Sequence, residues 1–502
     1  MTHIILYGPP GTGKSTIGKL LAQSLRLPFI DLDRVIETNA GLSISQIINE
    51  QGETAFRDLE TSALKTLSVE NDSVIALGGG ALLRDENRAF AESNGRILLL
   101  MAELPTLLDR MKKESGKRPL LTGDLREKLT ALLEKRSEHY TSFPLKLHVD
   151  GKTAEQNAYL AQVALGRHHL AAMGEYDVVV GQVSNLTNFL MQNAIIVTDE
   201  NVAKFHLEKI TNLFNAKSVI VPAGEEHKNL ATVSRLWGAF LENGLDRKST
   251  VIALGGGVIG DMAGFAASTY MRGIDWVAIP TTLLAMVDAS LGGKTGFDLP
   301  QGKNLIGSFH PPKLVIADSS LLHTLPEREL RSGMAEVVKH GIISDPDLFA
   351  MCQHGMDWVK TNLEDVVKRA MAVKIQVIEA DPYEKGFRAA LNLGHTIGHA
   401  VELVSKFELR HGEAISIGMA AEARYSARVG LTGSGVVEAI ESTLSALGLP
   451  IHIPEGMPRE EIIRVMRVDK KKNAKAIRFA LPVEIGRVEL VDVADLESVI
   501  DH

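Results

Sequence analysis

The sequence predicts an α/β protein with two successive strand–helix domains built on parallel sheets, followed by a mainly α-helical domain. Three observations carry this prediction. Short β-branched runs (HIILYG, VIALGGG, RILLLM, DVVVG, AIIVTD, SVIVPAG, TVIALGGG, DWVAIPTT) alternate with helical patterns and glycine-rich turns, the mark of βαβ units. From about Glu327 the texture changes to long helical periodicity with few strand candidates. And 502 residues exceed what one core encloses at roughly 150 residues per domain.

The first boundary lies in TAEQNAYLAQVALGRHHLAAMGEYDVVVG. It reads as a closing amphipathic helix (Thr153 to Leu165), a polar link over 166–175, and a new first strand at Asp177. The domains expected are therefore 1–165, 176–326 and 327–502.

Composition narrows the function. The chain is 45% hydrophobic and 23% charged, with a net charge of −8, which argues against nonspecific nucleic-acid or anionic-membrane binding but leaves room for local basic pockets. One cysteine, Cys352, excludes an intrachain disulfide framework and a thiolate zinc cluster. The start MTH leads into an apolar strand with no basic leader, and no apolar run approaches a membrane span of ~18 residues. A soluble cytoplasmic protein is expected.

The first chemical motif is GPPGTGKS, Gly8 to Ser15, placed between the strand HIILY and the helical TIGKLLAQSL. This is the context a phosphate-binding loop requires: backbone N–H groups cradle phosphates, Lys14 reaches the terminal ones, and the Ser15 hydroxyl ligates Mg²⁺. Downstream, Asp31 and Asp33 alternate on what reads as an extended segment, so only a bend or a strand end turns both to one site. Arg57, Arg118 and Arg136 are spread over three segments.

These residues together resemble shikimate kinase over roughly 1–165. The matching elements are the phosphate loop, DLD, the stretch Gly41 to Glu60 with its G-E-x-x-F-R-x-x-E, the glycines at 78–80, RPLL, and Arg136 to Tyr140. The resemblance implies that Gly11, Thr12, Gly13, Lys14, Ser15 and Thr16 bind ATP and that Ser15 and Asp31 attend Mg²⁺. It further implies that Asp33 holds the acceptor hydroxyl as its base, and that Arg57 and Arg136 pair with the shikimate carboxylate beside Gly79 and Gly80. Arg118 is expected on a lid closing over ATP, and Arg110 against adenine.

The heptapeptide VIALGGG recurs at Val251 to Gly257, now followed by VIGDMAGF. A glycine turn into a helix suits a dinucleotide pyrophosphate, although the spacing is not G-x-G-x-x-G. The flanks of the two copies share no pattern, which speaks against an internal repeat. Further on, LNLGHTIGHAVELVSKFELRHGEA carries His395 and His399 at i, i+4, with His411 on a return segment. Spacing alone favours the i, i+4 pair as metal ligands. No HExxH is present, so a metalloprotease has little support.

In order, PAGEEHK, GGGVIGD, YMRG, PTTLLAMVDASLGGKTG, GKNLIG, GMAEVVKHG, DPYEKGFR, LNLGHTIGH and VDKKKN resemble 3-dehydroquinate synthase over roughly 175–502. The resemblance makes Glu336, His395 and His411 the metal triad, for Zn²⁺ or Co²⁺, and His399 a proton relay. It implies NAD⁺ contacts at Asp199, Glu225, Lys228, Gly257, Asp261, Thr281, Thr282, Lys303 and Thr324. Contacts to 3-deoxy-D-arabino-heptulosonate 7-phosphate fall at Asp288, Lys294, Asn304, Lys339, Lys374, Arg388 and Asn392, with Arg272 arriving from a partner subunit of a homodimer. Glu384 is an acid/base position, and the lysine run supplies one contact, Lys471 or alternatively Lys470. Met286 and Phe387 stand where Gln and Leu are expected. In such enzymes NAD oxidises and later restores one secondary alcohol, so phosphate leaves and the ring closes without net redox. The other readings are a related sugar-phosphate cyclase, a polyol dehydrogenase, or a kinase half that only binds nucleotide.

Overall fold

Alternate residues of the first strand face opposite ways, and each set has its own core. The computed structural model describes residues 3–67, 72–113, 124–186, 193–469 and 476–500. Within β1 (His3–Tyr7), Ile4 and Leu6 join one apolar cluster with Leu98 and Leu100, while Ile5 and Tyr7 join another with Ile97 and Leu99. A strand apolar on both sides belongs at the centre of a sheet covered on both faces. It lies there: β2 (Phe29–Asp31), β3 (Val74–Ala76), β4 (Gly95–Met101) and β5 (Lys146–His148) complete a five-stranded sheet in the order β2-β3-β1-β4-β5. All its pairings are parallel.

The chain divides into two compact units, 1–169 and 170–502. In the first, the closing helix runs over Ala154–Leu165. Thr153 caps it through a reciprocal capping box with Gln156, and Gly166 ends it at φ 63°. The stretch 166–175, expected as a polar link, instead holds a strand, β6 (Arg167–Leu170), at the edge of a seven-stranded sheet. Its RHHL alternation sends His168 and Leu170 inward, which a reading by polarity misses.

That sheet also contains β7 (Tyr176–Val180), β8 (Ala194–Asp199), β9 (Lys217–Val221), β10 (Thr250–Gly255) and β11 (Asp275–Pro280). A hairpin follows, β12 (Lys294–Leu299) and β13 (Gly302–Phe309), antiparallel with a bulge between Phe297 and Leu299. β14 (Leu314–Ala317) then returns to the sheet, whose order is β6-β7-β14-β11-β10-β8-β9. The pairs from β7 through β9 are parallel.

From Glu327 the described elements are helical except for a terminal hairpin, β15 (Ile477–Glu484) and β16 (Arg487–Val493). The sequence reading separates 176–326 from 327–502, yet one apolar cluster runs from Leu170 to Val488 through both. The helix Glu327–Ser344 is the reason. Every residue from Ser332 to Ile343 is buried, so this helix is enclosed on all sides rather than amphipathic. No described helix is long and apolar enough to cross a membrane.

His168 is buried without a hydrogen-bond partner at Nε2, and burial lowers its pKa to about 4. The unfolded chain binds this proton near pH 6.5 and the folded one does not, so stability is lost as pH falls from 6.5 towards 4. His168→Leu is expected to flatten the decline of Tm between pH 7 and 5. In the second unit, Ile252 sits fully buried between Ile196 and Val277. Ile252→Ala should cost about 2–5 kcal/mol. Trp237, Trp276 and Trp358 all lie in this unit, so the urea midpoint followed by tryptophan fluorescence checks it.

Candidate active sites

In the first unit the phosphate loop leaves the end of β1, and Gly13, at φ 89°, caps the helix Lys14–Ser24. The loop borders a cavity of about 750 Å³. Gly11, Gly13, Lys14, Ser15, Thr16, Asp31, Asp33, Arg57, Gly79, Gly80, Arg110 and Arg136 all line it. Thr12 lies beneath, its hydroxyl donating to the Pro9 carbonyl at 2.9 Å. Arg118 lies outside the described residues.

The extended reading of Asp31 and Asp33 is corrected by a strand end. Asp31 terminates β2 and Asp33 already stands in the first turn of the helix Leu32–Ala40, so a change of backbone brings both into one cavity. Ser15 Oγ donates to Asp31 Oδ2 at 2.7 Å. Lys14 Nζ donates to the Gly8 and Pro9 carbonyls at 2.8 and 3.0 Å. Arg110 reaches the Thr12 and Val149 carbonyls, both at 3.2 Å.

Opposite the loop, Arg57 Nη1 donates to Glu60 Oε2 at 2.7 Å and Arg136 Nη1 to the Gly79 carbonyl at 2.6 Å. A Cβ on Gly80 would lie 2.6 Å from Arg57 Nη2, and one on Gly78 would lie 2.7 Å from Glu60 Oε1, so these two glycines leave room for that pair. Glu60 is a functional neighbour the sequence reading quoted but did not assign. It is fully buried; burial raises its carboxyl, Arg57 lowers it, and Asp33 adds to the rise, for a net upward shift. Its i, i+3 spacing from Arg57 on one helix is the signal that could have found it.

In the second unit the helix Gly257–Thr269 starts at the third glycine of the second heptapeptide, with Gly256 as its cap. Asp261 on this helix pairs with Lys228 at 2.6 Å, and Lys228 also donates to Asn304 Oδ1 at 2.6 Å. Asn304, expected among substrate contacts, therefore joins Lys228 and Asp261. Burial raises Glu225 despite the nearby ammonium groups of Lys228 and Lys303. Asp199 caps a short helix through Asn201 and Val202 N–H. Thr281 Oγ1 is buried with no hydrogen-bond partner, Thr282 Oγ1 accepts from Ala285 N at 3.1 Å, and Thr324 Oγ1 meets His206 Nε2 at 2.7 Å.

Further charges gather around the buried helix. Lys374 donates to Asp288 Oδ1 at 2.5 Å and to its carbonyl at 2.8 Å. Asp288 sits in a π-helical turn, Ala285–Ala289, that also buries Met286. Lys294 and Arg388 both pair with Glu384, at 2.6 and 3.3 Å, and these cations hold its carboxyl low although burial opposes them. Phe387 is half exposed, opening the 3₁₀ turn that ends at Asn392. Arg272 lies on an exposed turn at φ 72°. Lys470 and Lys471 lie outside the described residues.

Glu336, fully buried, forms an ion pair with Lys339. His395 Nε2 and His411 Nε2 approach its Oε1 at 3.6 and 3.7 Å, and one donor atom from each of the three lies within 4.8 Å of the others. Both histidines open helices, His395–Val404 and His411–Arg428. Gly412 permits the approach: a Cβ there would lie 1.9 Å from the Ser332 carbonyl on the buried helix. His395 Nδ1 donates to the Leu393 carbonyl at 3.1 Å, which leaves Nε2 as the lone-pair atom facing Glu336. His411 Nδ1 lies 3.2 Å from Glu402 Oε2. His399, exposed, is 5.1 Å from His395 between ring centroids. The i, i+4 histidine spacing therefore does not supply the converging set. Glu336 Oε1, buried and without a hydrogen bond, is suited to a cation.

Glu402 and His340 escaped the sequence reading. His340 is fully buried with both ring nitrogens unpartnered, and burial with Lys339 beside it lowers its pKa to about 3. It forms a second group with Asp288 and Glu336, and its i, i+4 spacing from Glu336 was visible in the sequence.

Comparison with known proteins agrees with this division. Residues 10–165 match the shikimate kinase family model. Residues 218–332 and 333–472 match the N-terminal and C-terminal models of 3-dehydroquinate synthase. The 3-dehydroquinate synthases of Nostoc punctiforme and Symbiobacterium thermophilum are 43% and 45% identical, covering 66% and 59% of this chain and 92% and 86% of their own lengths. Among solved structures, 2-deoxy-scyllo-inosose synthase, complexed with carbaglucose-6-phosphate, NAD⁺ and Co²⁺, superposes with TM-score 0.61 at 27% identity. It covers 66% of this chain and 99% of its own. The 2-epi-5-epi-valiolone synthase of Streptomyces hygroscopicus subsp. jinggangensis, with NAD⁺ and Zn²⁺ bound, gives 0.59 at 28% identity, over 64% and 94%.

The fold and sites define a two-enzyme chain, a nucleotide-dependent kinase followed by a metal-binding α/β enzyme. The chain belongs to the 3-dehydroquinate synthase family, with a shikimate kinase domain fused ahead of it. Both are enzymes of the shikimate pathway.

The converging triad predicts that the full chain binds one Co²⁺ with the visible absorption of a low-coordinate site, and that His411→Ala abolishes this band. Unchanged absorption in the variant would place the ion elsewhere.

Proposed function

We propose that the first unit phosphorylates shikimate from ATP and that the second cyclises 3-deoxy-D-arabino-heptulosonate 7-phosphate to 3-dehydroquinate with release of phosphate. The kinase reading rests on the single cavity that gathers Lys14, Asp33, Arg57 and Arg136. Lys14 and the loop N–H groups bind phosphates, and the oxygen donors of Ser15 and Asp31 suit Mg²⁺. Asp33 takes the proton of the attacking hydroxyl, while Arg57 and Arg136 orient the acceptor through its carboxylate. Arg110 borders the adenine.

The synthase reading rests on the convergence of Glu336, His395 and His411. These three hold Zn²⁺ or Co²⁺. The helix N-terminus at Gly257 and the orphan hydroxyl of Thr281 suit NAD⁺, with Asp199, Glu225, Lys228, Asp261, Thr282, Lys303 and Thr324 around it. When bound, the ion acidifies substrate hydroxyls and the dinucleotide takes up and returns a hydride, so that net redox is zero.

The protein's own groups do the remaining work. Asp288, Lys294, Asn304, Lys339, Lys374, Arg388, Asn392 and one of Lys470 and Lys471 bind the anionic substrate. Glu384 and His399 move protons. Its two cations hold the Glu384 carboxylate ionised, in the form that accepts one. A homodimer in which Arg272 completes the partner's site follows from the family resemblance alone. The protein acts in the cytoplasm on these small molecules.

Lys14→Ala should abolish ADP formation from MgATP and shikimate, by at least about 100-fold, and leave phosphate release from the heptulosonate phosphate intact. His395→Ala should do the reverse. Two assays on each purified variant check this, and loss of both activities in either variant would overturn the assignment of separate sites. A chelator should remove only the synthase activity when Mg²⁺ is resupplied, with Zn²⁺ or Co²⁺ restoring it.

A further inference from the structure

Glu402 stands on the helix His395–Val404, seven residues beyond the triad histidine His395, and each of its carboxylate oxygens has a different partner. Oε2 lies 3.2 Å from His411 Nδ1, and Oε1 lies 3.3 Å from Lys303 Nζ. Lys303 belongs to the β12–β13 hairpin, so one carboxylate joins a triad ligand to a separate element. A second contact reinforces the junction: Lys303 Nζ sits 4.2 Å from the ring centroid of Phe407. Phe407 and its neighbour Lys406 both have positive φ, 64° and 53°, in the turn that leads back to His411. Two consecutive non-glycine residues in the left-handed region are costly, and such strain persists where surrounding contacts hold it.

The next hairpin residue continues the connection. Asn304 accepts from Lys228, which pairs with Asp261 on the helix that begins at the second triple glycine. The hairpin is thus held at one residue by the triad's support and at the next by the expected dinucleotide site.

We propose that Glu402 is a positioning residue that fixes His411 for metal binding and, through Lys303, couples the metal centre to the dinucleotide site. This rests on the metal and NAD⁺ assignments above. Holding the Nδ1 proton on Glu402 leaves His411 Nε2 to face the ion and fixes the ring's orientation. Lys303, bound to the same carboxylate, is best placed when His411 is. By linkage, NAD⁺ then tightens the metal and the metal tightens NAD⁺ by the same factor.

The test is Co²⁺ affinity of the full chain, read from visible absorption against a competing chelator, with and without NAD⁺. Glu402→Gln is expected to weaken Co²⁺ binding by roughly 10–100-fold and to erase the tightening by NAD⁺. Lys303→Met, on the exposed hairpin, should lower affinity several-fold alone and change nothing further in the Glu402→Gln background. Equal affinity of Glu402→Gln and the wild type, or additive effects of the two substitutions, would overturn the proposal. Absence of Co²⁺ binding by the wild type would instead overturn the metal-centre assignment itself. Tryptophan fluorescence melts of each variant separate loss of binding from loss of fold.

Discussion

Glu336 is a carboxylate with no access to water, and much of the second unit follows from where that charge is put. An unpaired buried charge is too costly to keep, so it must be surrounded by cations, donors or a metal. Lys339 meets it from the next turn of its own helix, and His395 and His411 meet it from two others. The helix that carries it is enclosed on all sides, which fixes its position to the precision of the packed core. The three helices that bring Glu336, His395 and His411 together then cannot move independently, and a small residue such as Gly412, against the Ser332 carbonyl, lets them come close enough.

The two sites solve a shared problem by different backbones. In each, a buried parallel strand ends in three glycines at the carboxyl edge of a sheet, where α/β proteins commonly place their ligands. In the first unit Gly78 and Gly80 make room for side chains of the protein itself, the Glu60 carboxylate and the Arg57 guanidinium. In the second the last glycine begins a helix, whose first turn leaves backbone N–H groups without intrahelical partners. An identical heptapeptide thus serves two uses, because the sequence that follows it selects a 3₁₀ turn at Ala81–Leu83 in one case and a 13-residue helix in the other.

In the second unit, cations hold buried or half-buried acids in their ionised form. Lys294 and Arg388 keep Glu384 ionised, and Lys374 is locked to Asp288. Around Arg57 the balance is different: Glu60 offsets the guanidinium inside the cavity wall, and burial raises its carboxyl. Clusters of acids and bases with shifted pKa values of this kind concentrate at functional sites.

The sequence alone determined the eight strands β1, β3, β4 and β7 to β11, the phosphate loop and the change to helices near Glu327, and it offered the candidate site residues. These depend on local periodicity and on motifs whose spacing is short. It did not show that His168 and Leu170 extend a sheet, that Asp33 stands on a helix rather than a strand, or that residues 176–326 share one core with the helices after them. Nor did spacing alone identify which histidines converge. His395 and His399 are neighbours on one helix, yet Glu336 meets His395 and His411, from helices that begin 16 residues apart in sequence. Local pattern reports which face of an element is apolar. Which faces meet, and so which nitrogen and oxygen atoms converge, is decided only by packing between elements distant along the chain.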